Sequence, residues 1–218
     1  PGILAIFYNL TGSGLSSTSE ALGNVLLAKW VNLLFGLASL ALVYAITRQL
    51  STPRAARLAA VLFVLWPAQL AFSSVLASEH LATLLALAGL AAAYPALKSD
   101  RIPAPAAGAR LIAAGVCFAL GAATRNTNLI ILLAVLIALL FSPLKQPVLF
   151  KHKLAAAGLL LVAFASMTWL YREAIHARVR VYPTSTTAFS LLVGANYESG
   201  GLWNYADYDL MSQHPNIE

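Results

Sequence analysis

The sequence predicts an all-α, polytopic integral membrane protein with about six transmembrane helices and an extracytoplasmic C-terminal segment. Two observations predict it. Hydrophobic residues make up 60% of the 218 positions and charged residues 10%, where a soluble domain is about half apolar and a quarter charged. Apolar stretches of helical length recur along the chain, and the loops between them carry most of the basic residues. The single cysteine, Cys117, lies inside an apolar run, so no disulfide framework holds the chain.

Each element can be justified in order. Residues 1–9, PGILAIFYN, are apolar but too few to cross a hydrocarbon core of about 30 Å, which takes about 20 helical residues. They suit an interfacial or re-entrant segment. The Gly/Ser/Thr-rich stretch TGSGLSSTSE follows as a loop, with Glu20 near a helix start. The first span is expected over 21–47, with Lys29 near one end, where it can snorkel. The loop RQLSTPRAAR, 48–57, leads into a second span over 58–77. Pro67 lies inside that span and lacks an N–H, so the carbonyl of Phe63 loses its partner and a kink is expected. Ser78-Glu79-His80 forms a polar turn before a third span, 81–97. After the loop KSDRIPAPAAGAR come a short fourth span, 111–124, the polar turn Arg125-Asn126-Thr127-Asn128, and a fifth span, 129–144. Both spans are shorter than a full crossing requires, which calls for a sunken turn or a locally thinner membrane. KQPVLFKHK and a sixth span, 154–171, complete the membrane part. The chain thus divides into the end of an outer loop (1–20), a transmembrane helical domain (21–171) and an outer segment (172–218). Pro1-Gly2 is no initiator sequence and SQHPNIE brings no closing element, so the expectation is an internal piece of a longer protein.

Charge sets the sidedness. If the loops alternate, one side holds Arg48, Arg54, Arg57, Lys98, Arg101, Arg110, Lys145, Lys151 and Lys153, nine of the fourteen cations. The other holds Lys29, Arg125, Arg172, Arg178 and Arg180 with every acid except Asp100. The positive-inside rule makes the first side cytoplasmic and turns Glu79, Arg125 and the C-terminal segment outward. The net charge of +6 is thereby a topology signal, and no nucleic acid is expected as a partner. Glu79 is the only acid between Ala21 and Ser99. A carboxylate where two spans meet is a functional candidate by default, although a helix N-terminus favours a hydrated carboxylate on its own account.

The run from PGILAIFYNL through AKWVNLLFGLASLALVYAITRQLSTPRAARLAAVLFVLWPAQLAFSSVLASEHLATLLALAGL, then GAATRNTNLIILL, resembles the core of GT-C glycosyltransferases of the protein-mannosyltransferase and aminoarabinose-transferase type. The piece LLVGANYESGGLWNYAD is similar to their Gly- and aromatic-rich outer segment. The resemblance implies transfer of a sugar from a polyprenyl-phosphate-sugar donor to a lipid, polysaccharide or protein acceptor. It places the enzyme among the lipids of a prokaryotic cytoplasmic (inner) membrane, with its active side extracytoplasmic. The family's principal acid lies in the first outer loop, which would precede Pro1.

On this reading Glu79 matches the family's second acidic residue, as a catalytic residue that binds a divalent metal ion or orients the acceptor. His176 is a conceivable second metal ligand. His80 is adjacent to Glu79, but neighbours on a helix point about 100° apart, and it reads as a polar interfacial residue. Arg125 would hold the carrier phosphate through its fork of donors, or else bind lipid headgroups. Arg172 and Arg178 would add to a basic collar for phosphate. Asn126 and Asn128 would line the site or serve the turn. Asn196, Trp203, Asn204 and Tyr205 set amides beside aromatic rings, a composition suited to a sugar and equally to an interfacial belt.

Other classes find less support. The sequence contains no G-x-x-x-x-G-K-[ST] loop, no G-x-S-x-G elbow and no H-E-x-x-H, so the common nucleotide-driven and hydrolytic chemistries lack their motifs. A transporter or permease, the alternative from another class, would place polar groups at mid-membrane in broken helices. Here they gather at one face. A non-catalytic membrane fragment is the remaining alternative.

Overall fold

The structure, a computed structural model, describes residues 18–74, 78–98, 105–141 and 150–179. Every regular element among them is an α-helix: α1 (Thr18–Leu50), α2 (Pro53–Leu65), α3 (Pro67–Ser74), α4 (Glu79–Lys98), α5 (Pro105–Thr124), α6 (Asn128–Phe141) and α7 (Phe150–Val179). The chain divides into two compact units, Pro1–Met167 and Thr168–Glu218. The described part of the second unit is the last turns of α7.

The helix boundaries follow local chemistry that periodicity alone misses. The predicted loop over 48–57 shrinks to Ser51 and Thr52. Thr52 is extended (φ −89°, ψ 158°), its hydroxyl oxygen accepts a hydrogen bond from Ala55 N–H at 3.3 Å, and Pro53 opens the next helix. A threonine cap followed by proline is a strong start signal. Pro105 likewise starts α5 six residues before the predicted span. The kink expected near Pro67 is a full break. Trp66 is driven out of the helical region to φ −63°, ψ 120°, as the residue before proline tends to be. The Trp66 carbonyl accepts from both Gln69 N–H and Leu70 N–H, at 2.9 and 3.2 Å, so α3 restarts at once.

Helices α1 and α4 run parallel, since Gly36 lies against His80 and the Tyr94 hydroxyl donates to the Gln49 carbonyl at 3.4 Å. Helices α4 and α5 run antiparallel, with Gly89 under the ring of Phe118. Helix α6 packs on both. A core of Ala93, Leu111, Ala114, Phe118, Leu132 and Leu160 gathers residues of α4, α5, α6 and α7.

The burial pattern reverses that of a water-soluble bundle. Alanines fill much of the interior, among them Ala56, Ala82, Ala86, Ala93 and Ala114, while Trp30, Leu34, Leu62, Ile130 and Val162 point outward. With lipid as the solvent, large side chains gain nothing by hiding, and small ones let backbones approach. The protein is therefore an integral membrane protein by packing as well as by composition. Among the described residues three helical stretches are long and apolar enough to cross a membrane: Leu26–Leu50, Ala106–Thr124 and Phe150–Ala177. The other predicted crossings correspond to the broken pair α2 and α3, to α4, and to α6, whose 14 residues reach only about 21 Å.

Gly115 tests this packing. A Cβ there would stand 2.7 Å from the Leu160 carbonyl oxygen, a backbone atom, whereas one on Gly158 meets nothing within 4 Å. Gly115→Val should lower the thermal-unfolding midpoint of the detergent-solubilised protein through overpacking that costs about 1–3 kcal/mol. Gly158→Ala should hold or raise the midpoint by helix propensity alone.

Candidate functional site

Glu79 is the first residue of α4, where the partial positive charge of a helix N-terminus favours a carboxylate. Arg125 directly follows the last residue of α5, and its N–H donates to the Gly121 carbonyl at 2.8 Å. A cation there meets the partial negative charge of a helix C-terminus. Because α4 and α5 are antiparallel, the two ends coincide. Arg125 Nη1 donates to Glu79 Oε1 at 2.5 Å. The side chains are unequally placed, with 45% of Arg125 exposed and 19% of Glu79. The second carboxylate oxygen, Glu79 Oε2, is buried and finds no donor among the described residues. A buried acceptor left without a donor costs free energy, so a hydroxyl, a water or a cation is the natural complement of this atom.

Two neighbours differ from their sequence reading. His80 is not an interfacial residue: it is 2% exposed, set against Gly36 of α1, with Nδ1 3.1 Å from Gln69 Nε2 on α3. Burial on the α1 side follows from its turn of about 100° away from Glu79. Asn128 serves more than a turn. It opens α6, is buried, and its Nδ2 donates to the Ala82 carbonyl of α4 at 3.2 Å.

The other predicted residues fall elsewhere. Arg172 and His176 are one helical turn apart on α7, in the second unit, and Arg178 lies on its last turn. Asn196, Trp203, Asn204 and Tyr205 lie outside the described residues. No group of three or more His, Cys, Asp or Glu is gathered among the described residues. Sequence reasoning missed the contact of Gln69 with His80 and the burial of Asn32 and Ser39 on the α1 face that carries Gly36. Their spacing, with Asn32 four residues before Gly36 and Ser39 three after, is the helical signal that marks one face. It was present in the sequence.

The family model described as dolichyl-phosphate-mannose-protein mannosyltransferase matches residues 18–171. No curated protein and no solved structure gives a match.

The ion pair has a measurable signature. Arg125→Ala leaves a largely buried carboxylate without its cation, and should lower the unfolding midpoint by the equivalent of about 1–3 kcal/mol. Adding Glu79→Gln should restore part of that loss, because a neutral amide needs no counter-charge. Thermal unfolding of the two variants beside the wild type checks both expectations.

Proposed function

The chain belongs to the dolichyl-phosphate-mannose-protein mannosyltransferase family, membrane glycosyltransferases of the GT-C type, and we propose that it takes its sugar from a polyprenyl-phosphate-linked donor. The acceptor, a lipid, polysaccharide or protein, offers a hydroxyl on the extracytoplasmic face of a prokaryotic cytoplasmic membrane. The observation that carries this reading is the contact of Glu79 with Arg125 at the rim of the helices, together with the unused acceptor capacity of Glu79 Oε2.

The chemistry follows from those two groups. The acceptor oxygen attacks the anomeric carbon while the bond from that carbon to the carrier phosphate breaks. Polyprenyl phosphate leaves and the hydroxyl proton passes to a carboxylate. The Glu79 carboxylate accepts the hydrogen bond of the incoming hydroxyl and orients it. The family resemblance implies a further, principal acidic residue from the first outer loop. Arg125 has five N–H donors, and its half-exposed guanidinium meets the charge that develops on the departing phosphate. Arg172 and Arg178 extend this basic character, and Asn196, Trp203, Asn204 and Tyr205 supply the stacking and amide contacts for sugar or acceptor. The proposal includes a divalent metal ion held through Glu79, with further ligands such as His176.

Membranes containing the full-length protein, given radiolabelled polyprenyl-phosphate mannose, should transfer label to endogenous acceptors. Glu79→Gln should cut transfer at least about a hundredfold with insertion and folding intact, and wild-type turnover in that variant would remove Glu79 from the mechanism. Arg125→Gln should raise the donor KM roughly tenfold, the loss of one charge-assisted phosphate contact. Chelation with EDTA tests the metal separately.

A further inference from the structure

We propose that Asn128 is the positioning residue that holds the Glu79–Arg125 pair in register, and that Gly121 is glycine in order to admit its side-chain amide. This inference rests on the transferase reading for its kinetic consequence, while its structural content stands alone.

Asn128 is bonded to the backbone of Arg125 and to the helical turn that begins at Glu79. Its backbone N–H donates to the Arg125 carbonyl at 3.1 Å, and its side-chain Nδ2 donates to the Ala82 carbonyl at 3.2 Å. Ala82 N–H in turn donates to the Ser78 carbonyl at 2.9 Å, closing the helical turn that carries Glu79. One side chain therefore spans from the turn that presents the cation to the turn that presents the carboxylate. Only 4% of Asn128 is exposed, and burying an amide without a partner is costly. The bond to Ala82 uses the second lone pair of a helical carbonyl, so it fixes the distance between helices and does not cap an end.

Gly121 supplies the room. A Cβ at this position would stand 2.6 Å from Asn128 Nδ2 and 3.3 Å from its Cγ. The Gly121 carbonyl also accepts from Arg125 N–H at 2.8 Å and from the Thr124 hydroxyl at 2.7 Å. Gly121, in the last turn of α5, thus orients the backbone of Arg125 and leaves space for the amide that ties the arrangement to α4. Misplacing a reacting group by about 1 Å can cost about a hundredfold in rate, so a loss of this tie reads out in turnover.

The test uses the full-length protein in detergent and in membranes. Asn128→Ala should lower kcat for transfer from radiolabelled polyprenyl-phosphate mannose at least about tenfold. Gly115→Val, which disturbs packing about 15 Å along α5 from the pair, should leave kcat of the folded fraction unchanged. Gly121→Ala is the second variant: it should reproduce the kcat loss, and Asn128→Ala added to it should lower kcat no further, because both act through one amide. A double-mutant cycle reads the clamp without any activity. The midpoint shift caused by Arg125→Ala should be at least halved in the Asn128→Ala background. Additive midpoint shifts, or wild-type kcat in both single variants while Glu79→Gln loses transfer, overturn the proposal. A halved shift together with wild-type turnover in Glu79→Gln would sustain the clamp while removing the transferase role assigned to the pair.

Discussion

An ion pair at the end of an apolar helix bundle is the contact on which the described arrangement turns. Glu79 and Arg125 are each the one charged residue of their turn, and each sits at the helix end whose dipole favours it. In water such a pair is worth little, because solvent competes for both partners. At the edge of hydrocarbon the alternative for the carboxylate is poorer, so the pairing constrains which helix ends meet. The antiparallel packing of α4 on α5, with Gly89 against Phe118 along its length, brings those ends together. Half of the carboxylate is then satisfied and half is left with open acceptor capacity.

The rest of the bundle follows the same scarcity of water. Many large aliphatic and aromatic side chains face out, and alanines and glycines fill much of the interior around a few large ones such as Leu111, Phe118 and Leu160, so contact between helices depends on close approach and on a few polar ties. Ser39 donates to the Phe35 carbonyl one turn back at 2.8 Å, within its own helix. His80 meets Gln69 across α3 and α4, and Asn128 meets Ala82 across α4 and α6. Each of the two ties between helices satisfies a buried polar group and at the same time selects one neighbour among several apolar faces that look alike to lipid. The polar groups therefore set the register of the bundle, and dispersion between small residues holds it.

This division suits a surface transferase. Helices held by small-residue contacts and buried amides give a firm base on which one carboxylate and one guanidinium are presented at the rim. The unevenness within the pair fits their proposed tasks: Glu79 is held inward while Arg125 remains half exposed and able to meet a phosphate.

The sequence by itself determined the solvent of this protein, and with it the class. The composition, the basic loops, the lone carboxylate before α4 and the arginine after α5 were all legible, because burial in lipid and helix polarity act on local strings of residues. The family resemblance was legible for the same reason. Local chemistry also moved the boundaries: the Thr52 cap and Pro53 shortened a predicted loop, and Trp66 before Pro67 turned a kink into a break. What only the tertiary structure decided were the partnerships. That Arg125 meets Glu79, that His80 is buried against Gly36 instead of lying at the interface, and that the Asn128 amide reaches α4 through the gap left by Gly121 are contacts across as many as 46 residues of chain. A helix pattern fixes which face a residue occupies, but the partner across that face depends on the direction and depth of a second helix. Those are set by side-chain volumes and hydrogen bonds that exist only once the helices have packed.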